Sequence, residues 1–198
     1  MATQEKSIKP ARAPYKGQSI WSDVSRLENV RTGAGIPWQD YKGAWKSKKI
    51  PLGQEKMVFD AELIGVYKTL ELAKQLGYKG SLRILLDSQA ALARLQHNLP
   101  GPGQMWAIQV QGIAQELIQQ SGKVTIQWVP GHQGIPGNKK ADQAAKVAAD
   151  RAPRALDRSL ILAYTIRSCT EASQVERQEW LKKTPAHRSP SAQQSYQV

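Results

Sequence analysis

"KVTIQWVPGHQGIPGNKKADQAAKVAADRA", residues 123–152, holds the change of period on which the fold turns. Its first residues alternate as a strand does. "PGHQGIPGN" is a glycine- and proline-rich loop, and the alanine-rich remainder reads as a helix. A strand feeding a helix through such a loop is half of an α/β unit. Upstream, "QMWAIQVQGIAQELIQQSG" reads as a helix, "SQAALARLQHN" as a short helix broken by "LPGPG", and "SLRILLD" as a short buried strand. In "MVFDAELIGVYKTLELAKQLGYKG", Ala61, Ile64, Leu70 and Ala73 fall near helical spacing. Leu63, Val66 and Leu76 widen that stripe, and Gly77 supplies a stop. Three strand-like runs come first, "QSIWSDV", "GAGIPWQD" and "AWKSKKIPL", separated by turn residues. The order β-β-β-α-β-α-α-β-α predicts an antiparallel meander followed by α/β units. It makes one mixed five-stranded sheet with helices on both faces.

At 198 residues the chain has room for one ordinary domain with tails. Residues 1–17 are polar and unpatterned, and are expected to be a disordered basic leader. Residues 18–152 form the expected domain, 153–184 a helical extension and 185–198 a disordered tail. No stretch approaches the roughly 20 apolar residues of a membrane helix. The N-terminus has no apolar h-region, so a secretory signal is not expected. The single cysteine, Cys169, excludes an internal disulfide framework and a Cys-based zinc site. These features fit an intracellular protein of nucleus or cytoplasm. The net charge of +12 divides as +3 over residues 1–17, +5 over 18–150 and +4 over 151–198, so the tails are proportionally more basic. Such a surface suits nucleic acid, although a basic, soluble surface without that partner reads the same from charge alone.

Four acids stand at telling places. Asp23 ends the first strand-like run, and Asp87 ends "LRILLD". Glu62 lies on the apolar side of the first helix, and Asp142 one turn into the last. If the first and fourth strands pair in parallel, Asp23 and Asp87 emerge side by side, where α/β sheets form sites. Clustered carboxylates repel unless a cation lies between them, and hard oxygen ligands select Mg²⁺ or Mn²⁺. Each acid also has an ordinary structural reading. Asp23 suits a turn, Asp87 a cap for the helix starting at Ser88, Glu62 a solvated helix face, and Asp142 the favourable end of a helix dipole.

"FDAEL", "LLDSQAAL" and "WVPGHQGIPGNKKADQAA", in this order and spacing, resemble type 1 ribonucleases H. The nearest likeness is to the domains attached to reverse transcriptases of non-LTR retrotransposons, fungal ones in particular. It spans about residues 18–150. The resemblance implies an endoribonuclease that cleaves the RNA strand of RNA–DNA hybrids by a two-metal-ion mechanism. It implies two Mg²⁺ ions, with Mn²⁺ as a substitute, held by Asp23, Glu62, Asp87 and Asp142. Asp23 would bridge both ions. His132, in the "PGHQGIPG" loop, would assist proton transfer or product release, a task that suits imidazole. Asn138 would cap the last helix and fix the direction of Asp142. A monomer is expected, with no membrane or small-molecule partner.

The hybrid must be told from DNA by its 2′-hydroxyls in the wide minor groove. Ser25, Ser88 and Gln89 are the candidates for that contact. Lys46, Lys48, Lys49, Lys139 and Lys140 are candidates for phosphates, or else a solvated edge strand. Trp106 is expected in the core. Three residues depart from the family pattern. Val24 stands where glycine is usual after the first acid. Pro37 falls within a strand expected to pair on both sides, and Lys139 replaces a common glutamate. Together they leave open a catalytically impaired, retrotransposon-derived remnant that folds and binds nucleic acid without cleaving it.

Overall fold

The computed structural model describes residues 15–54, 58–97, 100–131 and 133–152. Residues 1–14 of the expected leader, the extension at 153–184, the tail at 185–198, and His132 lie outside the described residues. Strands β1 (Gln18–Arg26), β2 (Arg31–Gln39) and β3 (Trp45–Gln54) form the meander. Helix α1 (Val58–Gln75) and strand β4 (Leu82–Leu86) follow. Helices α2 (Gln89–Gln96) and α3 (Gln104–Ser121), strand β5 (Val124–Trp128) and helix α4 (Pro136–Asp150) complete the order.

The sheet order is β3-β2-β1-β4-β5. β1 pairs antiparallel with β2 and β2 with β3, whereas β1–β4 and β4–β5 are parallel. The sheet is therefore mixed and five-stranded, as the element order predicts. β4 lies between two parallel neighbours and is buried along its whole length, which is why "LRILL" is nearly continuous in apolar residues. On one face, α1 and α3 close a core of Ile20, Ile36, Leu63, Leu70, Ile84 and Val110, with their neighbours. Trp106 packs against this core, its ring 5.7 Å from that of Tyr67, as expected. Leu76 does not join the apolar stripe. It follows the last residue of α1 and is 49% exposed.

The opposite face is covered by α4, and the contact is unusually close. A Cβ on Gly35 would sit 2.2 Å from the Ala141 carbonyl oxygen and 2.4 Å from the Ala145 nitrogen. One on Gly33 would sit 2.1 Å from the Ala149 nitrogen. Glycine on the strand and alanine on the helix let the two backbones touch without intervening side chains. The second apolar cluster, Trp21, Leu85, Val129, Ile135 and Ala141, with Trp45 packed against it, fills the side beneath the start of α4. Pro37 does lie in a doubly paired strand, facing Ser47 on β3.

Candidate metal centre

The last parallel pair between β1 and β4 is Ser22 with Leu86. Asp23 and Asp87 are the next residue of each chain, so they leave the ladder side by side. β1 does not end at Asp23, as the sequence suggested. It continues to Arg26, paired with β2 alone, because β4 stops first. Glu62 reaches the same place from the second turn of α1. One carboxylate oxygen of each of Asp23, Glu62 and Asp87 lies within 4.8 Å of the others.

Burial sets their electrostatics. Asp23 and Glu62 are each 8% exposed. Burial raises the Asp23 carboxyl to about 7, and the charges of Asp87 and Asp142 push the same way. The Val24 N–H, donating to Asp23 Oδ1 at 2.7 Å, and the charge of Lys146 oppose the rise. Burial, then the charges of Asp23 and Asp87, raise Glu62 to about 8. Asp23 and Glu62, whose ionised forms are disfavoured by burial and by neighbouring negative charge, converge with Asp87 as three oxygen donors that fit a hard divalent cation, which would relieve both.

The β5 exit holds Asp87 in place. Trp128 Nε1 donates to the Asp87 carbonyl at 3.0 Å, and the Val129 N–H to the Leu86 carbonyl at 2.8 Å. Gly131 then passes so near that a Cβ there would lie 2.8 Å from Asp87 Oδ2. The loop glycine is thus a matter of room at the carboxylate. The cap of α2 is Ser88, whose Oγ accepts from the Ala91 N–H at 3.2 Å, and not Asp87. Ser88 and the exposed Gln89 therefore flank the acids at the start of α2. Ser25 is two residues beyond Asp23 on β1, on the same face by strand alternation.

The fourth acid stands beside the other three without joining them. The carboxylate of Asp142 accepts from Lys146 Nζ at 2.9 Å, while its charge still acts on Asp23. Lys146 matches no motif, and the i,i+4 spacing from Asp142 is the sequence signal that points to it. Asn138 does not cap α4. The helix begins two residues earlier, with Ile135 as N-cap and Pro136 in the first turn, where the fixed φ of proline favours the start. Asn138 is inside that turn, 6% exposed, with its Oδ1 unpartnered among the described residues.

Val24 adopts no left-handed backbone. Among the described residues the non-glycine with positive φ is Val30, at 59°, in the β1–β2 turn. Val24 is an ordinary strand residue paired with Ala34, and its side chain faces Gly65 of α1. At the other end of the site, Lys140 lies 5.4 Å from the centre of the Trp45 ring, which packs 5.3 Å from Trp21. Lys48 donates to Gln75 Oε1. Lys46, Lys49, Lys139 and Lys140 form no ion pair among the described residues.

The RNase H family model matches residues 16–150. Among solved structures, the N-terminal RNase H domain of a Mycobacterium tuberculosis protein, solved as a fusion with maltose-binding protein, is similar to this chain. It shows 21% identity over 67% of this chain and 94% of that one, with a TM-score of 0.54. RNase H1 from the halophilic archaeon Halobacterium salinarum NRC-1 is similar at 20% identity over 68% of this chain and 98% of that one, also at 0.54. At such identities the two structures speak for the fold: a mixed five-stranded sheet with the same helical layers. The family model covers both the strands that present Asp23 and Asp87 and the helices that carry Glu62 and Asp142, and the chain belongs to the RNase H family.

Proposed function

We propose that the protein is an endoribonuclease that hydrolyses the RNA strand of RNA–DNA hybrids with two divalent cations, Mg²⁺ by preference and Mn²⁺ as a substitute. The observation that carries this reading is the convergence of the buried Asp23 and Glu62 with the half-buried Asp87, one carboxylate oxygen of each within 4.8 Å of the others. Asp23, Glu62, Asp87 and Asp142 would hold the ions. Bound there, such ions activate water and stabilise the leaving oxygen of a phosphodiester. Asp23, central among the acids, orients the centre through the Val24 N–H that fixes its Oδ1. Trp128 and Gly131 keep Asp87 aimed into it. His132 would exchange a proton near the leaving group. Ser25, Ser88 and Gln89 border the acids, where hydroxyl and amide groups would meet 2′-hydroxyls. Lys49, Lys139 and Lys140 would hold phosphates without reading sequence. Asn138 would support this end of the site from the first turn of α4.

The descent from a non-LTR retrotransposon rests on the wording of "WVPGHQGIPGNKKADQAA", and a monomer acting in nucleus or cytoplasm goes with the substrate. Among the described residues, no helix is long and apolar enough to cross a membrane. Residues 18–152 would act as the catalytic domain, with the basic segments on either side adding affinity for nucleic acid. Val24, in the place of the family's glycine, favours a second reading, a folded hybrid-binding protein with weakened cleavage. Its regular backbone and its contact with Gly65 favour the first. The test is cleavage of an end-labelled hybrid in Mg²⁺ and then Mn²⁺ by wild type, Asp23→Asn and Val24→Gly. Single-stranded RNA and duplex DNA serve as controls. Cutting of hybrid RNA alone, lost in Asp23→Asn, is expected. Folded wild type that binds hybrid without cutting it sinks the first reading.

A further inference from the structure

Lys146 lies one turn beyond Asp142 on α4 and donates to Asp142 Oδ2 at 2.9 Å. The same ammonium is near enough to Asp23 to favour its ionised form. Asp23, Glu62 and Asp87 already converge, and Asp142, engaged with Lys146, stands outside that group. The helix cannot shift to bring it in. Ala141 and Ala145, on either side of Asp142, are seated on Gly35 at backbone contact. Asp142 therefore reaches the other three acids by turning its own side chain away from Lys146. Nothing needs to unfold for that exchange, because the side chains of Lys146 and Asp142 are 59% and 29% exposed.

We infer that Lys146 is a built-in counter-ion that holds Asp142 aside, competes with a divalent cation for its carboxylate, and so sets the affinity and order of filling of the metal centre. The inference rests on the reading of the four acids as metal ligands. The trio of Asp23, Glu62 and Asp87 accepts an ion without moving Lys146. An ion that needs Asp142 binds more weakly, because it must first displace the ammonium. Lys146 is a positioning residue in this scheme, acting through Asp142.

The experiment is calorimetric titration of the full chain, stripped of metal, with Mg²⁺ alone and Mn²⁺ alone at pH 8. The variants are Lys146→Met, which keeps the aliphatic stem, Lys146→Arg, Asp142→Asn, and Lys146→Met combined with Asp142→Asn. Wild type should show a tighter and a weaker phase. In Lys146→Met the weaker phase should tighten about threefold to tenfold, the scale of an exposed ion pair plus one nearby repelling charge. The tighter phase should change less. Lys146→Arg should stay near wild type, and Asp142→Asn should remove the weaker phase with either residue at 146. A single phase in wild type, an unchanged or weaker second phase in Lys146→Met, or equal tightening of both phases overturns the inference. Hybrid cleavage against Mg²⁺ concentration is followed in parallel. Shifted metal affinity with no cleavage by any folded form overturns the ribonuclease reading and leaves this one standing. Normal cleavage with unshifted affinity does the reverse.

Discussion

Asp23→Asn should make the metal-free protein more stable at pH 8 while abolishing cleavage. The Asp23 carboxyl rises from an ordinary 3.8 to about 7 in the fold, chiefly by burial and secondarily by the charge of Asp87. That is roughly a thousandfold in proton affinity, or about 4 kcal/mol. Because the folded-state pKa lies above the unfolded one, the folded protein holds the extra proton between about pH 4 and 7. Stability from this group is therefore full below that window and lost as pH rises through it. Asparagine is nearly isosteric and keeps an Oδ1 for the Val24 N–H. Its amide can donate to Glu62 and Asp87, which repelled the carboxylate it replaces. The stability difference between variant and wild type should grow by about 3 kcal/mol from pH 5 to pH 8, the part of the window above pH 5. For a domain of this size that is roughly 10 °C in melting temperature. The assay is thermal and urea unfolding in chelator across that range, repeated in excess Mg²⁺, where wild type should recover and Asp23→Asn should gain less. A difference that stays flat with pH, or a variant less stable than wild type at pH 8 in chelator, refutes the account of a repulsive, dehydrated acid cluster.

Mg²⁺ affinity in wild type should rise steeply between pH 6 and 8, since Asp23 at about 7 and Glu62 at about 8 must ionise to bind; calorimetry at four pH values checks this. Gly131→Ala should weaken Mg²⁺ binding and slow hybrid cleavage by about tenfold or more, through displacement of Asp87 by a new Cβ. Its melting temperature should move little, and kinetics beside a melting curve separate the two effects. Gly35→Ala should cost more than about 3 kcal/mol or prevent folding, because its Cβ meets helix backbone that cannot step aside; urea unfolding or soluble yield reports it. Val24→Gly should lower stability by about 1 kcal/mol, from strand entropy and the lost contact with α1, and an unchanged urea midpoint contradicts this.

The order of elements was legible because each clue was local and repeated. Turn residues marked off the three runs of the meander, and the apolar run in "SLRILLD" marked a short buried strand. The parallel pairing of β1 with β4 then followed from packing the units, and it put Asp23 beside Asp87. The position of Glu62 was legible from its place on the apolar stripe of α1. What escaped the sequence depends on contacts between elements. Gly33 and Gly35 read as residues of a strand run, since nothing in "RTGAGIPWQ" announces a helix backbone above it. The start of α4 was misplaced because asparagine is a strong cap by type, while Pro136 is stronger by geometry. Asp23 looked like the end of a strand because its acid interrupts an apolar run. In the fold β2 continues to pair with it while β4 does not. Lys146 was passed over as a partner of Asp142, since its one signal, a lysine four residues after an acid, is commonplace on helices.

The backbone contact between β2 and α4 has a consequence for mutational scanning. Gly33 and Gly35 carry no functional group and lie beneath α4, yet any side chain there lifts the helix that carries Asp142 away from the sheet that carries Asp23. In a selection for activity, both glycines should be as intolerant as the carboxylates, and a map of sensitive positions would draw the active site too large. A parallel selection for abundance would separate the two groups. The glycines should fail both screens, and Asp23 and Glu62 only the first.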